Sequence, residues 1–246
     1  MQLAPSLAVS VPDRGPRSAG RSPQSRGRPL SLNRVMRVLM ISNLWPPEVV
    51  GGAEQYAASL AARLREAGND VGVMTLGIDG PGVVGMVPPW PYPIQDSGRQ
   101  PASRRLLFHA RDLYNPRARA TLDRVLNKFR PDVVHSNVVQ GLSTAALTLP
   151  ARRGIGHVHT LHDYWLLCQR NSMVQRDGTT CETRCRSCRM ISRVRTEEIR
   201  RSPPSVLLAV SRAIAREHEV LPWAADRLRV LYNPVSVVTR ERAAPP

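Results

Sequence analysis

Aromatic side chains are scarce in this 246-residue chain, at 4%, and Lys128 is its one lysine. With so few rings, the core has to rest on Val, Leu, Ile and Ala. The same scarcity argues against a nucleic-acid binder that interleaves stacking rings with basic residues. No apolar run approaches the about 18 residues that a membrane-spanning helix needs. The glycine pair at Gly51-Gly52 belongs neither to a G-x-G-x-x-G stretch nor to a G-x-x-x-x-G-K-[ST] loop, so by itself it is a weak phosphate-binding signal. The short apolar segment at the N-terminus precedes its arginines rather than following them, the reverse of a secretory signal. A cytoplasmic protein is the expectation, with basic residues that could still meet a membrane surface.

Arginine supplies nearly all of a formal net charge of +16. Such a charge suits nucleic acid, anionic lipid or phosphorylated ligands. The arginines are spread along the chain, however, and a solvated basic surface accounts for them without any specific nucleic-acid partner. Hydrophobic residues make up 42%, enough for a substantial core.

Residues 1–34 are rich in Pro, Ser, Gly and Arg, with Asp13 the sole acid, and are expected to be a disordered leader. Met36 is an alternative start, since MRVLMIS opens directly into a strand. From there the pattern alternates. Val38–Ile41 is an apolar run of the kind buried on both faces of a parallel sheet. Ala53, Tyr56, Ala57, Leu60, Ala61 and Leu64 hold one face of a helix apolar. Between the two lie a Pro-Pro turn and Gly51-Gly52, where backbone N–H groups at a helix start could approach a phosphate. A ligand-free strand-to-helix turn explains the same glycines equally well.

Gly68 should stop that helix, and Val71–Leu76 is a second strand. Residues 77–103, dense in Gly and Pro, read as a long functional loop. Helical pattern follows over 104–129, broken at Asn115-Pro116. Further strands are expected at 133–135, 157–161, 206–210 and 229–232, and further helices at 141–153, 190–201 and 212–220. Strand–helix alternation with apolar strands predicts an α/β fold with a doubly wound, Rossmann-like parallel sheet. Ligands of such sheets bind outside the carboxyl ends of the strands. Those ends carry Gly51, Gly52, His135, His162, Asp163 and Ser211. Glu54 reads as an N-terminal cap, and Ser211 as the cap of the helix that follows it. A plain strand-end role competes with ligand contact for His135.

Cys168, Cys181, Cys185 and Cys188 fall together in residues 164–189, spaced C-x12-C-x3-C-x2-C. Clustered thiols in a chain of this kind point to a metal more than to disulfides, and four thiolates suit a structural zinc. Reduced free cysteines are the alternative. C-x3-C-x2-C also occurs where three cysteines hold an iron–sulfur cluster. Here it comes late, with a fourth cysteine nearby and few residues after it.

Taken in order, MRVLMISNLWPPEVVGGAEQYAASLAARLREAGNDVGVMTL, RPDVVHSN, HVHTLHDYWLLC, LLAVSRAIAREH and RVLYNPV resemble the N-terminal, acceptor-side domain of GT-B glycosyltransferases of family 4, over about residues 36–235. The resemblance implies retaining transfer of a sugar from a nucleotide-sugar donor to a sugar, lipid-linked or small-molecule acceptor, without a catalytic metal. It implies that Gly51-Gly52 lies near the donor diphosphate. It also implies that His162 contacts the reacting sugar or acceptor, with Asp163 placed to orient its ring. His135 and Ser211 are the further binding candidates. Residues 35–235 would be this domain, 164–189 a Cys-rich insertion and 236–246 a tail. The family's second Rossmann domain, which holds most of the donor, is expected to be absent from this polypeptide. Activity would then need that domain, supplied for instance by a separate chain. A non-catalytic binding module is the competing expectation.

Overall fold

A computed structural model describes residues 34–48, 51–88, 100–175 and 177–234. The expectations of a disordered leader and of a tail fall on residues outside these, as does the middle of the 77–103 segment.

Seven parallel strands form the sheet. They are β1 (Arg37–Ile41), β2 (Asp70–Leu76), β3 (Val83–Val87), β4 (Val133–Ser136), β5 (Gly156–Leu161), β6 (Val206–Ala209) and β7 (Leu228–Val230). Their order is β3-β2-β1-β4-β5-β6-β7. The chain therefore winds outward in one direction from β1, returns, and winds outward in the other from β4. The reversal lies between β1 and β4, paired from Val38↔Val133 to Ile41↔Ser136. The helices are α1 (Gly52–Glu66), α2 (Ala102–Leu113), α3 (Pro116–Phe129), α4 (Ala145–Arg152), α5 (Arg186–Ile199) and α6 (Arg212–His218).

β1 is covered on both sides. Leu39 and Ile41 join a large apolar cluster with Leu122, Val125, Leu142 and Leu147. Val38 and Met40 join a second with Ala57, Ala61, Val71 and Val73. That two-sided burial is why the strand reads as an unbroken apolar run. Helix ends obey local chemistry. Gly68, at φ +85, takes the left-handed turn after α1. Asn115 caps α3, its Oδ1 accepting from the N–H groups of Arg117 and Ala118 at 3.1 Å each, with Pro116 in the first turn. Gly85 lets α3 lie close on β3, because a Cβ there would stand 2.3 Å from Val125 Cγ2.

Three segments differ from the sequence expectation. The stretch expected to be a loop from residue 77 contains β3, a short edge strand whose register shifts beside Val73 and Met74. Its glycines and flanking turns hide the strand. The helix expected from Gly141 starts at Ala145, after turns in which Ser143 takes φ +63. The helix expected from Met190 starts at Arg186 and so takes Cys188 into its first turn.

Candidate functional site

The sheet reversal puts the ends of β1, β4 and β5 side by side. α1 begins at the first of these. Gly51 is its N-cap, and the Gly51 N–H donates to Glu54 Oε2 at 2.8 Å. Glu54 is buried, so the structural reading of that carboxylate holds. Gly51 and Gly52 are both exposed, and a Cβ on Gly52 would meet nothing within 4 Å. The first N–H groups of a helix have no intrahelical acceptor.

One turn into α1, the Tyr56 ring packs edge-on against His162, with centroids 5.1 Å apart. His162 follows β5 and is partly buried; its Nε2 donates to Asn137 Oδ1 at 3.2 Å. Burial, then the neighbouring His135, lowers its pKa to about 4. At neutral pH the ring is therefore uncharged and a weak base. It can give or take a hydrogen bond, but it is poorly suited to holding a proton.

Asp163 does not orient the His162 ring through any hydrogen bond seen here. Its Oδ1 accepts the Trp165 N–H at 2.9 Å. Burial raises its pKa to about 6, with Asp112 and Glu54 adding to the rise and Arg195 opposing it. The group that fixes the ring is Asn137, just past β4. It ends the RPDVVHSN stretch, but nothing in its residue type or its distance in sequence from His162 marks it out. Asn137 Nδ2 is buried without a partner, as is Ser42 Oγ at the end of β1. Buried polar atoms are rarely left unpaired. Two such atoms next to the reversal mark it as a place for a ligand or for water.

His135 lies deeper, 8% exposed, with Nε2 and Thr160 Oγ1 sharing a 2.8 Å hydrogen bond. It belongs to a buried polar layer in which Ser136 Oγ is shared between His157 Nε2 at 2.8 Å and His159 Nδ1 at 2.9 Å. Burial holds the pKa of His135 at about 4 and of His157 at about 3, and pushes that of His159 well down. Ser211 caps α6, its Oγ accepting the Ile214 N–H at 3.2 Å.

The loop bearing His162 and Asp163 is anchored from below. Arg195 on α5 is 1% exposed, pairs with Asp112 on α2, and stacks 4.2 Å from the Trp165 ring centroid. Asp112 also accepts the Trp165 Nε1–H at 2.9 Å and the Gly141 N–H at 2.7 Å. Arg195 Nη1 donates to the Trp165 and Cys168 carbonyls.

Two of the four cysteines come together: the sulfurs of Cys168 and Cys188 are 3.9 Å apart. Among the described residues, no three His, Cys, Asp or Glu side chains are gathered closely enough to hold a metal. Cys185 is exposed, and its hydrogen bond with Ser187 lowers its pKa to about 7; burial raises that of Cys188 to about 11. Among the described residues no helix is long and apolar enough to cross a membrane.

The doubly wound parallel sheet, with its reversal between β1 and β4, defines an α/β domain of the Rossmann type. The model of Glycosyltransferase Family 4 matches residues 50–238, and the chain belongs to that family. A curated relative, an uncharacterised 42.6 kDa protein in the cps region of Klebsiella pneumoniae, is 28% identical over 142 residues, covering 54% of this chain and 38% of the relative. Among solved structures, Anabaena Alr3699/HepE in complex with UDP-glucose is 17% identical, covering 81% of this chain and 44% of that one at a TM-score of 0.48. Sucrose-phosphate synthase from Thermosynechococcus elongatus is 16% identical, with coverages of 80% and 48% and a TM-score of 0.49. The chain thus spans less than half the length of each of these proteins.

Proposed function

We propose that this chain is the acceptor-side half of a retaining GT-B glycosyltransferase that takes its sugar from a nucleotide-sugar donor. What supports the reading is the His162–Asn137 hydrogen bond beside the β1–β4 reversal, with Tyr56 of α1 packed on the His162 ring, in a member of Glycosyltransferase Family 4. On this reading, the first N–H groups of α1 face the donor diphosphate and stabilise charge growing on it as the glycosidic bond breaks. Glu54 already offsets part of the positive field there, so the donors act through their geometry more than through net charge. His162, neutral and held by Asn137, hydrogen-bonds a hydroxyl of the sugar or acceptor and orients it; it does not relay a proton. The unpaired Asn137 Nδ2 and Ser42 Oγ supply polar contacts to the same ligand.

The test is turnover of the catalytically complete protein with His162→Ala beside Ser211→Ala. The expected result is a loss of about a hundredfold or more for the first and little change for the second, since orienting contacts matter most in the transition state. Equal, small effects would remove His162 from the site.

A further inference from the structure

The cysteine segment lies outside the sheet-edge site and has its own chemistry. Cys185 is the exposed N-cap of α5, a 14-residue helix, and Cys188 sits one turn on. The helix start favours a thiolate at the first of these positions. Cys188 Sγ in turn reaches the buried Cys168 Sγ at 3.9 Å. That separation is nearly twice a disulfide bond of about 2.05 Å, so the two sulfurs are adjacent but unbonded. Cys181 lies in the preceding loop, its N–H donating to the Met173 carbonyl at 2.8 Å. An accessible thiol, a thiol one helical turn behind it and a buried thiol beyond that thus stand in a row.

We propose that Cys185, Cys188 and Cys168 form a thiol–disulfide relay that is oxidised by low-molecular-weight disulfides of the glutathione type. The Cys185 thiolate attacks one sulfur of the external disulfide, forming a mixed disulfide and releasing one glutathione thiolate. The Cys188 thiolate attacks the Cys185 sulfur and releases the second glutathione. The Cys168 thiolate then attacks the Cys188 sulfur, and Cys185 leaves as a thiolate stabilised by the helix start. Two protein thiols are oxidised to one disulfide, and one external disulfide is reduced to two thiols. The product joins the turn Tyr164–Cys168 to the first turn of α5. Arg195 already ties these two elements through the Trp165 and Cys168 carbonyls. The turn follows directly on His162 and Asp163, so oxidation would stiffen the segment that carries them.

The experiment uses the full chain, reduced and then exposed to oxidised glutathione, alkylated at intervals, digested and read by mass spectrometry. The expected product is a Cys168–Cys188 link with Cys181 alkylated and two glutathiones released per chain. Cys185→Ser puts a favoured capping residue at the α5 N-cap and should slow formation of the link by about tenfold or more, because the accessible entry thiol is gone. Cys168→Ser should stop the relay at a Cys185–Cys188 link. The proposal is overturned by zinc held on the thiols of the chain under non-denaturing mass spectrometry, by a dominant link to Cys181, by no link at all, or by an unchanged rate in Cys185→Ser.

Discussion

Acidification should unfold this protein through its buried histidines. His135, His162 and His218 have pKa values lowered to about 4, and His157 to about 3, in each case chiefly by burial. The unfolded chain, with histidines near 6.5, binds more protons than the native state between that value and each native pKa. Stability therefore falls as pH falls through this window. At about 1.36 kcal/mol per pKa unit, each of the four contributes roughly 2 kcal/mol of destabilisation between about pH 7.5 and about pH 5, or about 8 kcal/mol together. His159 acts in the same direction. Asp163 opposes them: its native pKa is raised to about 6, so its protonation favours the fold, by roughly 1 kcal/mol at about pH 5. The net loss of about 6–7 kcal/mol is comparable with the whole stability of a typical domain, about 5–15 kcal/mol. Urea unfolding followed by tryptophan fluorescence at a series of pH values measures it. A stability that changes by less than about 2 kcal/mol over that range would refute the reasoning. His157→Gln should flatten the dependence by about a quarter, whatever it does to stability at neutral pH.

Breaking the buried pair beneath the site should be severe. Asp112→Ala leaves the Arg195 charge uncompensated and should cost about 3–5 kcal/mol in urea unfolding, while replacing both residues with apolar ones should recover much of it. Gly85→Ala forces a methyl group onto Val125 and should cost about 1–3 kcal/mol by overpacking, also read from the urea midpoint. Asn115→Ala removes the α3 cap and the 2.8 Å bond from Asn115 Nδ2 to the Gly141 carbonyl, and should lower stability by about 1–2 kcal/mol in the same assay. Glu54→Gln keeps an acceptor for the Gly51 N–H while removing a negative charge beside the proposed diphosphate, so calorimetry should find pyrophosphate bound more tightly than by the parent chain.

The centre of the sheet was legible because its signals are local. Val38–Ile41 is apolar without a break, the α1 residues repeat with helical spacing, and Asn115-Pro116 and Gly68 mark helix ends by their own backbone chemistry. β3 was not legible, since Gly85 and the flanking turns gave its segment the composition of a loop; only pairing with β2 makes it a strand. At the proposed site, Gly51 and Gly52 stood out because they open α1, and His162 because it follows β5 directly. The role of Asn137 could not, because it depends on β4 and β5 lying side by side. The same holds for Asp112, Trp165 and Arg195, which meet only after the chain has folded around α2 and α5. The burial of His157 and His159 likewise depends on β4 and β5 lying side by side, since the two rings share the Ser136 hydroxyl. Cys188 was read outside a helix because α5 was expected to begin at Met190.

The claim that the α1 start beside the β1–β4 reversal faces the donor diphosphate is tested most directly by mapping amide chemical shifts of the chain while titrating UDP-glucose, UDP and GDP-mannose to millimolar concentration. The account predicts shifts concentrated at Gly51, Gly52, Asn137 and His162, weakened in His162→Ala. Shifts confined to the arginine-bearing surface, or none at those four residues, would contradict it.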